Sequence, residues 1–446
     1  MPDASTNPHR LPSFVVPSHY RITLEPNLDE ATFAGNVEIE VEIGQATDNI
    51  QINSADLQIS SVVVRDAVGG ETAASEIAHD EDMERATFTF DSELSSGPYT
   101  IVAEFTGLLN DQLHGFYRSV FTDDDGIEHT IATTQFESTH ARRAFPCFDE
   151  PAFKASYGVT LVVPEDQFAV SNGPEISRTS LGEGRKSVVF EDTMVMSTYL
   201  VAFIVGPFEA TAPVDVDGVP LRIVHPIGKG HLTDYALEAG AYALRFFTGY
   251  YGIPYPGQKL DMVAVPDFAF GAMENLGCIT YREVLLLVDK SRSTEPELLR
   301  VADVIAHEIA HMWFGDLVTM EWWNGIWLNE AFATFMATMC SDNFNPDWGR
   351  WNQFSLERSM AFDVDSLANT RPIEFEVLSP VDAEGMFDLL TYEKGGSVLR
   401  MLEQYLGEEE FKDGIAYYLN KHKYGNTETN DLWDAIEHVT QQPARR

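Results

Sequence analysis

One stretch, residues 304–314, constrains this chain more than any other: it reads VIAHEIAHMWF. His307 and His311 lie four residues apart, and Glu308 directly follows the first histidine. On a helix, residues four apart share one face, so both imidazoles can point at a single metal ion. The Glu308 carboxylate could then reach a water molecule on that ion. The alternative is a buried core helix with two hydrogen-bonded histidines.

A second acidic residue, Glu330, follows His311 after 18 intervening residues. This gap allows one helix to end and a second to return beside it, with Asn324 as the expected N-cap of the second helix. The return would bring a carboxylate next to the two imidazoles. Two histidines and one glutamate give zinc three protein ligands and leave a fourth position for water, which is typical of a catalytic site. Zinc lowers the pKa of such a water toward neutrality.

Other blocks of sequence accompany this motif: GAMEN at residues 271–275, QFESTHARRAFPCFDEP at 135–151 and WLNE at 327–330. Together they resemble the M1 (gluzincin) family of zinc metallo-aminopeptidases, over residues 11 to 442. The resemblance implies a zinc-dependent aminopeptidase that hydrolyses the N-terminal peptide bond of peptides. It implies one zinc ion per chain and peptide substrates with a free N-terminus.

The resemblance also implies roles for single residues in the reaction. His307, His311 and Glu330 would hold the metal, with Asn329 as a supporting neighbour. Glu308 would be the general base, and Tyr392 would donate a hydrogen bond to the oxyanion. Without the resemblance, Tyr392 would be interpreted as a core or turn residue.

Two glutamates would make the enzyme an exopeptidase. Glu274 and Glu137 are expected to bind the protonated α-amine of the substrate through charge-assisted hydrogen bonds. Glu137 would otherwise be interpreted as a surface acid. The remaining substrate-binding candidates are Gly271, Ala272, Met273, Asn275 and Gln135. Of these, Gln135 matches a position near the pocket for the first side chain, as do Phe270 and Phe387.

Hydrophobic patterning predicts two domains. An N-terminal all-β domain, an antiparallel β-sandwich or saddle, is predicted over residues 1–208. This domain is indicated by alternation of period two at residues 20–24 and 37–43, and by strand-like runs at 86–90, 99–103, 159–163, 187–190 and 199–205. Residues 209–446 fit a thermolysin-like α/β catalytic domain. Its expected elements are strands at 221–224 and 260–265, a helix at 233–247, a helix starting at Thr294, and helices at 393–406 and 431–439, the last capped by Asn430. Residues 1–10 are expected to be frayed. The chain is short at its C-terminus relative to the family, as a natural short form or a fragment.

Composition limits the partners and the compartment. With 70 acidic and 29 basic residues, the formal charge of −41 opposes binding to nucleic acid or to anionic membranes. Only 9 of the basic residues are lysines, so the acidic surface suggests adaptation to high salt, with a merely acidic protein as the alternative. Cys147, Cys278 and Cys340 form no disulfide framework. With neither a signal peptide nor a transmembrane stretch in the sequence, we expect a cytoplasmic protein.

Three other functions remain open. The chain could be a catalytically impaired binding or scaffold form of the fold. It could be an endopeptidase, which Glu274 and Glu137 disfavour. It could combine epoxide hydrolase and aminopeptidase activity like leukotriene A4 hydrolase, although Ala272 is more similar to the members that are only peptidases. Ala331 and Leu276 depart from residues that are common in the family.

Overall fold

The computed structural model describes residues 7–123 and 125–444, so the expectation for residues 1–10 falls mostly outside the described residues. The chain divides into two compact units. The first consists of Met1–Glu209, Pro226–Gly228 and Val265–Ala269, and the second consists of Ala210–His225, Lys229–Ala264 and Phe270–Arg446. A β-rich part precedes a part with mixed α/β structure, as the sequence predicts. The functional domain boundary at residue 208 stays a prediction.

The first unit is built from strands. They are β1 (Val15–Asn27), β2 (Thr32–Ile43), β3 (Thr47–Asn53), β4 (Gln58–Asp66), β5 (Glu71–Ala73), β6 (Glu76–Asp80), β7 (Arg85–Leu94), β8 (Gly97–Leu108), β9 (Gly115–Thr122), β10 (Glu128–Gln135), β11 (Ser156–Pro164), β12 (Phe168–Ser171), β13 (Glu175–Gly182), β14 (Arg185–Phe190) and β15 (Phe203–Gly206). The eight-stranded sheet has the order β13-β14-β11-β1-β2-β8-β4-β5, and smaller sheets have the orders β12-β15-β10-β9 and β3-β7-β6. Within these sheets, β1 and β11 pair in parallel and the other neighbours are antiparallel.

Side-chain alternation explains why these segments form sheets. In β1, Tyr20, Ile22 and Leu24 are buried, while Thr23 and Glu25 face solvent. A strand that hides one face and exposes the other reads as period two in sequence. The predicted strand at residues 199–205 is only half right, because Thr198–Leu200 forms a short 3₁₀ turn and the strand begins at Phe203.

The second unit combines short strands with helices. Its strands are β17 (Val214–Val216), β18 (Val219–Pro226), β19 (Leu260–Val265), β20 (Ala272–Met273), β21 (Cys278–Arg282), β22 (Thr319–Met320) and β23 (Asn426–Thr427), while β16 (Phe208–Ala210) spans the division after Glu209. Its helices are α1 (Asp234–Tyr251), α2 (Glu295–His311), α3 (Trp327–Phe344), α4 (Arg350–Asp365), α5 (Pro380–Glu384), α6 (Gly395–Leu406), α7 (Glu408–His422) and α8 (Thr429–Thr440). β18 and β19 pair in parallel, and β20 and β21 are antiparallel. No helix among the described residues combines the length and apolar character needed to cross a lipid bilayer.

Helix α2 begins where the sequence predicts. Thr294 and Glu297 form a reciprocal capping box, and Pro296 stands in the first turn, where its missing N–H costs nothing. The cap expected at Asn324 is wrong, because this residue lies in a 3₁₀ turn and α3 begins at Trp327. The cap expected at Asn430 is also wrong, because Glu428 occupies the N-cap position of α8.

Candidate active site

The metal-ligand residues predicted from the sequence meet in the second unit, where the end of α2 lies beside the start of α3. Nε2 of His307 is 3.0 Å from Nε2 of His311 and 3.2 Å from Oε2 of Glu330. Nε2 of His311 is 3.4 Å from the same oxygen. Zinc bound at about 2.1 Å by tetrahedral donors separates those donors by roughly 3.4 Å. The three atoms therefore have the spacing of one face of a zinc tetrahedron.

The orientation of His311 follows from a backbone contact. Its Nδ1 lies 2.9 Å from the carbonyl oxygen of Phe314. Because a carbonyl only accepts hydrogen bonds, Nδ1 carries a proton, which leaves Nε2 as the nitrogen that can bind a metal when the ring is neutral. The chain turns sharply at Gly315, whose φ is 135°. A Cβ there would lie 3.3 Å from His311 Nδ1, so only glycine combines this conformation with such a close approach.

Burial and charge both shift the ligand pKa values. Burial lowers the pKa of His307. Burial would also lower that of His311, but the carboxylates of Glu274 and Glu330 raise it well above its usual value. For Glu330, burial opposes ionisation, yet the two imidazoles lower its pKa to about 2. Glu330 is thus ionised and ready to bind a cation at any ordinary pH.

Two more buried carboxylates surround the cluster. Burial, together with the charge of Glu330, raises the pKa of Glu274 to about 7, and burial raises that of Glu308 well above its usual value. When ionised, Glu274, Glu308 and Glu330 carry three negative charges, next to imidazoles that are neutral when they act as ligands. A divalent metal bound by Glu330 and the two imidazoles would compensate part of this negative charge. Charges buried in a protein require such compensation.

The segment at residues 271–275 starts as a short strand beside this cluster. β20 pairs Ala272 with Tyr281 and Met273 with Thr280 of β21. The Glu274 carboxylate follows, with Oε1 3.8 Å from Nδ1 of His311. This oxygen is buried and accepts no hydrogen bond from the described residues. It therefore retains its full capacity to bind a donor such as a protonated amine.

Neighbouring contacts fix the same segment. The Asn275 amide donates to Oγ1 of Thr280 at 3.1 Å, and the Gly271 carbonyl accepts the backbone N–H of Arg282 at 2.9 Å. Asn275 thus supports the turn. The Asn329 amide points to the sulfur of Met320 at 3.2 Å.

Tyr392 also lies beside the metal-ligand residues. It belongs to a π-helical turn, Leu390–Lys394, and its ring centroid is 6.0 Å from that of His307 with the planes inclined by 30°. The rings of Phe270 and Phe387 lie 6.5 Å apart in the same unit. Two supports of this site, the Phe314 carbonyl and the turn that contains Tyr392, leave no signal in the sequence, because any residue has a carbonyl and a π-helical turn has no simple repeat.

Gln135 and Glu137 belong to the first unit. Gln135 ends β10, and its side-chain amide donates to the backbone carbonyl of Glu137 at 3.4 Å. Both side chains are buried. The contact of Glu137 with a substrate amine and the place of Gln135 near the first side-chain pocket stay predictions.

Comparison with known proteins adds independent information. The model described as Peptidase M1 N-terminal domain matches residues 16–200, and the model described as Peptidase family M1 domain matches residues 235–445. The chain is 43% identical over 439 residues to Aminopeptidase M1-A of Oryza sativa subsp. japonica, covering 98% of this chain and 50% of the relative. It is 42% identical over 440 residues to Aminopeptidase M1 of Arabidopsis thaliana, with 98% and 50% covered. It is 40% identical over 436 residues to Endoplasmic reticulum aminopeptidase 1 of Homo sapiens, with 97% and 46% covered. The chain spans about half the length of the curated relatives it matches.

Proposed function

Because the chain belongs to peptidase family M1, we propose that it is a zinc-dependent aminopeptidase that removes residues from the N-terminus of peptides. The observation that carries this proposal is the convergence of His307, His311 and Glu330, whose three donor atoms lie 3.0–3.4 Å apart. The relatives named as aminopeptidases support the same reaction class.

The donor set fits a single zinc ion. Two imidazole nitrogens and one carboxylate oxygen are typical ligands of a catalytic zinc site with one open position. The shortage of positive charge among the buried carboxylates also favours a divalent cation. When bound, zinc would lower the pKa of a water molecule toward 7 and polarise the substrate carbonyl as a Lewis acid.

The chain's own residues would move the protons. Glu308 is buried with a raised pKa, which suits a carboxylate that takes a proton from the attacking water and returns it to the leaving amine. Tyr392, whose ring lies beside His307, would donate a hydrogen bond to the carbonyl oxygen as negative charge develops there.

Recognition of the N-terminus would come from the two other glutamates. Glu274 offers a buried oxygen that accepts no hydrogen bond from the described residues, and Glu137 would add a second carboxylate. An ammonium held by these groups fixes the scissile bond one residue from the metal. Gly271 and Ala272 would leave room for the peptide backbone, with Met273, Asn275 and Gln135 completing the substrate site.

The substitution Glu308→Gln tests the mechanism. It removes the proton acceptor and keeps the shape, so we expect kcat/KM for an aminoacyl-coumarin substrate to fall by about 10²–10⁴. Zinc measured by mass spectrometry should stay at one per chain. The control is Glu295→Gln, an exposed acid at the start of the same helix, which should change neither quantity. Full activity of Glu308→Gln would overturn the proposed mechanism, while loss of zinc from it would place Glu308 among the ligands.

Amine recognition needs a separate measurement. Blocking the substrate with an N-acetyl group removes the ammonium, so we expect cleavage of the acetylated peptide to drop below detection while the free peptide is hydrolysed. Efficient cleavage of the acetylated peptide would instead identify an endopeptidase.

We also propose a cytoplasmic location. Cys147, Cys278 and Cys340 are buried free thiols, as expected in a reducing compartment. The charge of −41 favours neither nucleic acid nor an anionic membrane as partner. Recovery of the protein in a membrane or secreted fraction would contradict this location.

A further inference from the structure

The π-helical turn Leu390–Lys394 that contains Tyr392 is held by side chains from a distant part of the second unit. The turn follows α5 and leads directly into α6. π-Helical turns lose regular i→i+4 bonds and persist where other contacts compensate, often at functional sites. The compensating contacts here come from Arg371, in the irregular segment between α4 and α5.

Arg371 donates hydrogen bonds directly to the turn and its approach. Its Nη2 lies 2.6 Å from Oδ1 of Asp388, 2.8 Å from Oγ1 of Thr391 and 3.1 Å from the carbonyl oxygen of Met386. The same Asp388 oxygen accepts the backbone N–H groups of Leu390 and Thr391 at 2.9 and 3.2 Å. One guanidinium therefore holds the carboxylate that caps the first amides of the turn.

Other contacts fix the guanidinium itself. Its Nη1 donates to the carbonyls of Pro372 and Ile373 at 3.1 and 3.3 Å, and the ring of Phe375 lies 5.0 Å away. The side chain is only 16% exposed. A planar group with several fixed donors suits this arrangement better than the flexible ammonium of lysine would.

The other end of the turn is tied to the same segment. Nζ of Lys394 lies 2.7 Å from Oδ1 of Asp365, at the end of α4, and 3.1 Å from the backbone carbonyl of Arg371. Tyr392 thus lies between two anchors, Asp388 just before the turn and Lys394 at its end, which both contact residue 371. Movement of this segment would move the tyrosine.

We propose that Arg371 is a positioning residue for the reaction: it places the Tyr392 hydroxyl by holding Asp388 and Thr391. This inference rests on the proposed function, in which Tyr392 stabilises the oxyanion. Arg371 lies outside the predicted set of site residues and acts only through the turn. A misplacement of about 1 Å at a group that acts in the transition state can cost about 10²-fold in rate.

A double-mutant cycle tests the proposal in the full chain. We expect Arg371→Met to lower kcat by about 10- to 100-fold, with KM changed by no more than about twofold. In a Tyr392→Phe background, Arg371→Met should cause less than about a twofold further loss, because the group it positions is gone. Arg371→Lys should restore part of kcat, since it keeps a donor to Asp388. Zinc content should stay at one per chain in every variant.

The matched control is Arg358→Met, which removes an exposed arginine that lies 5.8 Å from the ring of Phe362 on α4. It should leave kcat unchanged. If Arg371→Met does not fold, Asp388→Asn replaces it in the same cycle, because it weakens the same link while preserving side-chain shape.

Losses that multiply in the double mutant, or an Arg371→Met enzyme with normal kcat, would overturn the role of Arg371. An unchanged kcat in Tyr392→Phe alone would instead overturn the role of Tyr392, and with it this inference. Inactivity of the parent enzyme towards every aminoacyl substrate would overturn the proposed function. The three failures are therefore distinguishable.

Discussion

Glu393 stands out among the single residues of the second unit because its charge has little compensation. Its Oε2 is buried and forms no hydrogen bond to the described part of the chain. Burial raises its pKa to about 7; the Glu357 carboxylate acts in the same direction, and Arg350 opposes them. The residue is next to Tyr392 but has no part in the proposed reaction. Ionisation of Glu393 should therefore change the free energy of unfolding and leave the proposed reaction unaffected.

The sign of this effect can be predicted. Between the ordinary glutamate pKa of about 4.3 and the folded value, the unfolded chain loses the proton that the folded chain keeps, so stability falls as pH rises. Glu393→Gln removes that loss. We expect the variant to gain about 2 kcal/mol relative to wild type between pH 4.5 and 8, after allowing for partial exposure. Urea unfolding at both pH values measures this gain, and a pH-independent difference would refute the assignment.

At the scale of elements, β19 depends on a buried ion cluster. The Asp261 carboxylate contacts Nε of Arg222 at 2.6 Å and Nζ of Lys259 at 2.8 Å. Burial opposes its ionisation, yet these two cations lower its pKa. Lys259 also donates to the carbonyl of Gly277 at 2.7 Å, at the end of the turn that follows Glu274. The cluster thus links the strand to the turn after residues 271–275, the segment proposed to bind the substrate.

Breaking this cluster should be costly. Asp261→Asn leaves Lys259 buried without its counter-charge, and we expect a loss of about 3–5 kcal/mol in the free energy of unfolding. The control is Asp217→Asn, which breaks an exposed pair with Arg245 and should cost less than about 1 kcal/mol. Urea unfolding of both variants measures the difference. Equal losses in the free energy of unfolding for the two variants would show that the buried cluster stabilises the fold no more than a surface ion pair does.

The elements also show what sequence can predict. Thr294 was identifiable as a cap because its hydroxyl is followed two residues later by Pro296, so both signals lie within one short stretch. Asn324 was misassigned because its amide binds Glu374, 50 residues later in sequence. The grouping of His307, His311 and Glu330, the three predicted metal ligands, was identifiable because helical spacing and one short return bring them together. The contacts of Arg371 were not, since three of its acceptors are backbone carbonyls that carry no residue identity.

At the scale of the whole molecule, the formal charge of −41 sets how stability depends on salt. Dense like charge destabilises a compact chain through self-repulsion. Salt relieves this repulsion, because the Debye length falls from about 10 Å at 0.1 M to about 3 Å at 1 M. The buried contacts among His307, His311 and Glu330, and those of Asp261, are screened much less. Screening should therefore weaken the repulsion more than it weakens the contacts that hold the fold.

We accordingly expect the thermal unfolding midpoint to rise steadily from low to molar NaCl. Sucrose at equal osmolality is the control, because it is excluded from protein surfaces but does not screen charge. A larger rise in NaCl than in sucrose would identify screening as the cause and support adaptation of the surface to high salt. A midpoint that stays constant or falls with NaCl would contradict this expectation. It would mean that the carboxylates are spaced widely enough for their repulsion to be small even without salt. The acidic composition would then reflect no adaptation to high salt.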